Sequence, residues 1–286
     1  MLQRGVRRVY RACRPGSKRP MAPASWALAT GVGVGLASAS TTASKCEGTN
    51  GWKNIWAKTT PPPWQEANVN AHLLSANTLL FGTEKKQRVL VPLCGRTVDM
   101  PFIARQGHEV IGVEGVAEAV EQFAQEQQIV MQQARWLDGR EQSTAGFRPF
   151  VASQKSGMDL AILVGNFFGL TVDMVGGQVD VVYDRASLVA IDPSERPKYA
   201  DLLTAALKPT GKYLLVVIEY DQQRMKGPPC APFSVTKEDI EALYGGQRGF
   251  RVQPLLREKV KKEGAHWKDA GDIYTASYLL TKRPCE

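Results

Sequence analysis

The chain has 286 residues, 43% of them hydrophobic, enough for one globular domain with a well-buried core. Its formal charge of +8 is confined to residues 1–45, which hold eight basic residues and no acid, while residues 46–286 carry as many Lys and Arg as Asp and Glu. The basic pI therefore belongs to that segment, and the domain's net charge gives no sign of a nucleic-acid partner. Five cysteines, odd in number, far apart and without CxxC spacing, exclude a disulfide framework or a zinc ribbon and fit a reducing compartment. His72, His108 and His266 have no ligand-like spacing, so no metal site is expected.

Residues 1–45 are Arg-rich, free of acid and followed by small residues, as an organelle transit peptide is. The expectation is a targeting or disordered segment, with the mitochondrion as destination and a cytoplasmic or membrane-anchored protein as the alternatives. The apolar run 22–39 is diluted by Ser25, Thr30, Ser38 and glycines. A spanning helix needs roughly 20 predominantly apolar residues, so no stable span is expected. GVGVG at 31–35 has no strand before it and no acidic residue after it at the right distance, and is not read as a cofactor loop. Nothing in this segment alternates like a strand. The domain is therefore expected to comprise residues 46–286.

From residue 86 onward short apolar runs alternate with helical stretches, the pattern of βαβ units around a mostly parallel sheet. RVLVPLCG (88–95) reads as a buried strand ending in a glycine turn. DMPFIARQG (99–107) reads as a helix and HEVIGVEG (108–115) as a second strand ending in Glu114. In doubly wound folds ligands lie at the carboxyl ends of the strands, and an acidic residue about 20 positions past the glycine turn accepts ribose hydroxyls. Glu114 follows Gly95 by 19 positions. LAILVGNFF (160–168) is a third strand ending in Gly165, Asn166 and Phe167, the last an aromatic suited to adenine. QVDVVYDRASLVAI (178–191) is a fourth, bearing Asp184 and Arg185. A helix over 193–207 leads through a Leu-Lys-Pro-x-Gly turn into a fifth strand, 207–221. The fold class is thus α/β: a doubly wound, Rossmann-like sheet with helices on both faces, and the Leu-Lys-Pro-x-Gly turn before its fifth strand resembles that of methyltransferases with this fold.

The single glycine of PLCGRTVD suits a ligand without a pyrophosphate and disfavours a nicotinamide-dependent oxidoreductase, which uses GxGxxG. A non-catalytic scaffold is the other rival, disfavoured by the intact set of strand-end residues. The loop also departs from the commonest methyltransferase form, which has an acidic residue on the strand and two or three glycines. Cys94 has no paired base and His108 starts a strand, so both are expected to pack rather than react.

Several strings between Trp52 and Lys282 resemble one particular family. VPLCGRTVDM followed by QGHEVIGVE, DRASLVAIDPSERPKYAD, EYDQQRMKGPPCAPFSV and WKNIWAKTTPPPWQEANVNAHLL are similar to the thiopurine S-methyltransferase family end to end. The resemblance implies S-adenosylmethionine as methyl donor, with Trp56, Leu93, Glu114, Asn166, Phe167 and Arg185 lining it and Trp64 facing the acceptor. Arg185 is the expected catalytic residue: it can pair with the donor's carboxylate, orient an acidic acceptor, or favour a thiol's anion. Asp184 is expected to be a structural partner or to orient water. Trp52 and Trp56, four apart, would share a helical face.

The resemblance implies transfer of methyl to the sulfur of a small thiol, or to selenium or tellurium, by in-line displacement, with a halide acceptor as an alternative on the same scaffold. Two departures bear on the acceptor. The family's mammalian members carry a second arginine shortly before a C-terminal tryptophan. Here the loop reads KVKKEGAHWKD, with Glu263 near that position and Lys261, Lys262 or His266 as replacements. Gly169 stands where the family usually has Asp after the two phenylalanines. The low Cys content and neutral domain are compatible with a monomer.

Overall fold

A computed structural model describes residues 10–12, 54–56, 62, 64–82, 86–136, 146–226, 230–261 and 267–283. The expectations for 22–39, GVGVG, Trp52, Lys262, Glu263 and His266 lie outside the described residues. Fifteen elements matter here: β1 (Tyr10–Ala12), α1 (Ala71–Phe81), β2 (Arg88–Val91), α2 (Asp99–Arg105), β3 (Glu109–Glu114), α3 (Ala117–Glu126), β4 (Met131–Trp136), β5 (Arg148–Ala152), β6 (Asp159–Val164), β7 (Val179–Arg185), α4 (Arg196–Ala206), β8 (Leu207–Glu219), α5 (Lys237–Tyr244), β9 (Phe250–Val260) and β10 (Ile273–Lys282).

The ten strands form one sheet in the order β1-β4-β5-β6-β3-β2-β7-β8-β10-β9. Its centre, β6-β3-β2-β7-β8, is parallel. β3 is buried along its whole length and β2 and β6 at all but their first residue, as strands covered on both faces must be. From β2 the chain moves to β3, crosses to β4 at the flank and comes back through β5 to β6 beside β3, then passes over to lay β7 and β8 on β2's other side. The order therefore reverses between β2 and β7, and a crevice opens there at the strands' carboxyl ends. Leu73, Met100, Ile103, Val120 and Phe123 of α1, α2 and α3 fill the core on one face. Tyr199, Leu203, Ile240 and Tyr244 of α4 and α5 fill it on the other.

The sheet is less parallel than the sequence suggests. β5, β4 and β1 extend one side antiparallel, and β10 and β9 the other. The third and fourth strands also end earlier than their apolar runs. Asn166 accepts the Phe168 N–H and turns the chain after β6, and Asp184 accepts the Ser187 and Leu188 N–H groups and turns it after β7.

The segment before residue 46 requires a correction. Tyr10–Ala12 forms edge strand β1, with Tyr10 opposite Trp136 and Ala12 opposite Ala134. Tyr10 is buried, meets the Trp136 ring edge-on at 5.1 Å and donates its hydroxyl to the Met174 carbonyl. Burial drives its phenol pKa well up, so it stays a donor. Three residues are too few for alternation to show, and the strand is specified by the partner it caps. Tyr10→Ala should lower unfolding stability by about 3 kcal/mol. Deletion of residues 1–12 should lower the chemical-denaturation midpoint while deletion of 1–9 leaves it in place; equal midpoints would show that β1 contributes nothing.

Candidate functional site

The crevice is built on two turns held by one carboxylate. After β2 the backbone passes through Leu93 at φ 39° and Gly95 at φ 52°. At Gly95 a Cβ would be strained and would stand 3.2 Å from the Trp56 ring, so only glycine lets that ring lie on the turn. Glu114, at the end of β3, is buried. Its Oε2 accepts the Gly95 N–H at 2.8 Å and its Oε1 the Val116 N–H at 2.9 Å. Burial raises its pKa, and the N–H groups of Val116, Gly95 and Gly115 pull it back. Three N–H groups do not exhaust the roughly four acceptor sites of a carboxylate, so the group can hold the turns and still accept a ligand hydroxyl.

β6 and β7 supply the opposite wall. Asn166 caps the short turn Phe167–Gly169 and is exposed, while Phe167 is buried against Tyr199 at 4.9 Å. Asp184 is fully buried and accepts the hydroxyls of Tyr199 and Tyr213, both at 2.7 Å. Desolvation raises its pKa and those bonds oppose the shift. With both oxygens engaged inward, Asp184 is a structural partner. Ser187 joins the β7 turn to the β2 turn by donating to the Pro92 carbonyl at 2.8 Å. Arg185, half-buried, points its Nη2 at the Trp64 carbonyl, 2.8 Å away, and at Glu66 Oε1, 2.5 Å away.

The segment before α1 covers this wall. The Trp56 carbonyl accepts from Gln122 at 2.8 Å, Gln65 donates to the Arg96 carbonyl at 3.3 Å, and the Asn70 N–H donates to Asp99 at 2.9 Å. Trp56 is buried beneath the Arg96 guanidinium and meets Trp64 edge-on at 6.4 Å. Together these elements enclose a cleft of about 440 Å³ to which Trp56, Trp64, Leu93, Glu114, Asn166, Phe167 and Arg185 all contribute.

Among the further lining residues that sequence reasoning missed are Gln65, Asp99, Tyr183 and Phe233. Asp99 looks like an ordinary helix start. Its burial is explained by three donors, the Asn70 N–H, the Thr97 hydroxyl and the Tyr183 hydroxyl, the last 2.8 Å away and 84 residues on. The buried Cys94 thiol is pushed up by desolvation, and His108 stacks on Phe81 and accepts the Gln87 N–H. Both are packing residues. Lys261 is exposed just past β9. Among the described residues no three His, Cys, Asp or Glu gather as a metal ion would require.

An adenosyl methyl donor needs an aromatic slot, a carboxylate for its ribose hydroxyls and a turn that its backbone-sized parts can approach. Phe167, Glu114 and the Leu93–Gly95 turn all line the cleft and supply that set. Glu114→Ala should weaken S-adenosylhomocysteine binding by about 1.5–3 kcal/mol, and separately lower stability by about 1–3 kcal/mol because two N–H groups lose their acceptor. In the wild type, affinity should decline as pH falls through a value above 4.5, the ordinary glutamate pKa, because the raised Glu114 protonates there. Titration calorimetry showing unchanged affinity in a folded variant would contradict the ribose role.

A sequence model described as thiopurine S-methyltransferase (TPMT) matches residues 48–282. The chain is 35% identical over 202 residues to a thiopurine S-methyltransferase of Legionella pneumophila (strain Corby), covering 68% of this chain and 83% of that protein. It is 34% identical over 211 residues to one of Pseudomonas aeruginosa (strain UCBPP-PA14), covering 72% and 87%. Among solved structures it is similar to TehB from Haemophilus influenzae, with a TM-score of 0.52 at 10% identity over 76% of this chain and 64% of that one; this likeness concerns the fold alone. The chain belongs to the thiopurine S-methyltransferase family and is an S-adenosylmethionine-dependent methyltransferase.

Proposed function

We propose that this enzyme methylates the sulfur of a small thiol, with selenium and tellurium nucleophiles as chemical equivalents. The observation that carries the reading is an aromatic cleft whose buried acids are already engaged. Glu114 holds two turns, Asp99 binds Tyr183 and Asp184 binds two tyrosines, while Asp192 and Glu195 stand at the exposed rim. Among the described residues no inward-facing base is free to deprotonate an amine or alcohol. A thiol has less need of one, because its anion forms readily near neutral pH and is already a strong nucleophile.

S-adenosylmethionine, when bound, supplies a methyl group on a sulfonium sulfur open to in-line attack. The chain's own residues do the positioning. Glu114 fixes the ribose end, Phe167 and the Leu93–Gly95 turn bound the adenosyl slot, and Trp56 and Trp64 close the cleft and exclude water. Arg185, paired with Glu66, stands where the acceptor approaches and orients it through the guanidinium N–H groups that the pair leaves over. Holding two reactants in line in a dry cleft supplies the acceleration without a covalent enzyme intermediate.

The same reading takes the enzyme as a monomer acting on small molecules rather than nucleic acid. It takes the acid-free basic segment before residue 46 as a mitochondrial targeting sequence. Among the described residues no helix is long and apolar enough to cross a membrane. Because β1 lies inside the basic segment, its removal would strip an edge strand from the sheet.

The residues from 10 onward, supplied with S-adenosylmethionine and a panel of thiols, sodium selenide and iodide, should yield methyl thioethers and methyl selenides. Arg185→Met should lower kcat/KM by about tenfold to a hundredfold, the range of one lost charge-assisted contact. Methyl iodide as the sole product would favour the halide reading instead.

A further inference from the structure

The cleft carries a charge pair at Arg185, the residue assigned above to the approach of the acceptor. Arg185 is the cation among the cleft-lining residues described, and it is not free: its Nη2 lies 2.5 Å from Glu66 Oε1. Glu66 is held in place for this contact. Asn70, itself buried and capping α1, donates to the other carboxylate oxygen at 3.0 Å. The pair also ties the chain around Trp64 to β7, because the same Nη2 donates to the Trp64 carbonyl.

The surrounding charges add to the effect. Asp99, Glu114, Asp192 and Glu195 all line the cleft, and the Lys198 ammonium stands over the Phe168 ring at 5.2 Å on an exposed part of α4. An anionic substituent arriving at Arg185 thus meets a neutralised guanidinium in a cleft rich in carboxylates. It must either displace Glu66 or bind without its counter-charge, and selectivity arises from that unfavourable encounter.

We propose that Glu66 is a specificity-determining residue: by neutralising Arg185 at the cleft mouth it selects neutral or cationic acceptors over acceptors bearing a carboxylate. Removing the carboxylate while keeping the Asn70 contact, as Glu66→Gln does, turns the mouth into an anion-accepting one. This inference rests on the acceptor site assigned above, though it concerns the charge of the acceptor rather than its reacting atom.

The test uses thiophenol, 4-mercaptobenzoate and 4-(aminomethyl)thiophenol, which carry the same reacting group and differ in charge at the far end. For the wild type, kcat/KM should be lower for 4-mercaptobenzoate than for the other two. In Glu66→Gln the ratio of 4-mercaptobenzoate to thiophenol should rise about tenfold, mainly through KM, as expected when a partly buried guanidinium loses its exposed carboxylate partner. Thermal unfolding and S-adenosylhomocysteine binding verify that the variant is folded. The affinities of the three compounds for the S-adenosylhomocysteine complex, by calorimetry, read the same preference without turnover. A wild type that favours the carboxylate, or ratios that Glu66→Gln leaves unchanged, would overturn the proposal. Shifted binding ratios without methylation of any thiol would retain it and refute the sulfur acceptor instead.

Discussion

The site depends on the Glu114 carboxylate, which joins the turn after β2 to the turn after β3 from inside the protein. A buried carboxylate is costly unless its oxygens are bonded, and here backbone N–H groups supply those bonds. The same bonds set the shape of the crevice, because they fix Gly95 where Trp56 can lie across it. Stability and the proposed ribose recognition thus share one side chain. A similar economy appears at Asp184, where one carboxylate binds two tyrosines and turns the chain after β7. Ser187 then ties that turn to the carbonyl of Pro92.

The crevice exists because the strand order reverses between β2 and β7, separating the chain that follows each strand. The antiparallel strands at both flanks do not form the cleft wall. They lengthen the sheet and protect the parallel centre, β1 by covering β4 on one side and β9 by lying outside β10 on the other. The segment before α1 completes the enclosure with polar contacts to residues that follow β2, β3 and β7. An enclosure of this kind excludes water from the reacting pair without a large change in the sheet.

The parallel centre and the candidate residues Glu114, Asn166, Phe167 and Arg185 were legible in the sequence because both are local, whereas Leu93, Trp56 and Trp64 were reached only through the family resemblance. β2, β3, β6 and β7 are short apolar runs, and each site residue on them stands within a few positions of a strand end. The flanks were not legible for an equally physical reason. β4, MQQARW, is half exposed, and β9, FRVQPLLREKV, is a charged edge with one fully buried residue, so neither carries the apolar run of a central strand. Asp99 and Glu66 were missed because their partners are distant: Tyr183 lies 84 positions from Asp99, and Arg185 more than a hundred from Glu66. In a sequence each is only an acid near the start of a helix.

A crystal structure of the S-adenosylhomocysteine complex tests the central claim most directly. The account requires Glu114 to bind the ribose hydroxyls while keeping the N–H groups of Gly95 and Val116, with the adenine beside Phe167. A ligand seated elsewhere in the cleft, or a Glu114 that must leave those N–H groups to reach the ribose, would contradict it.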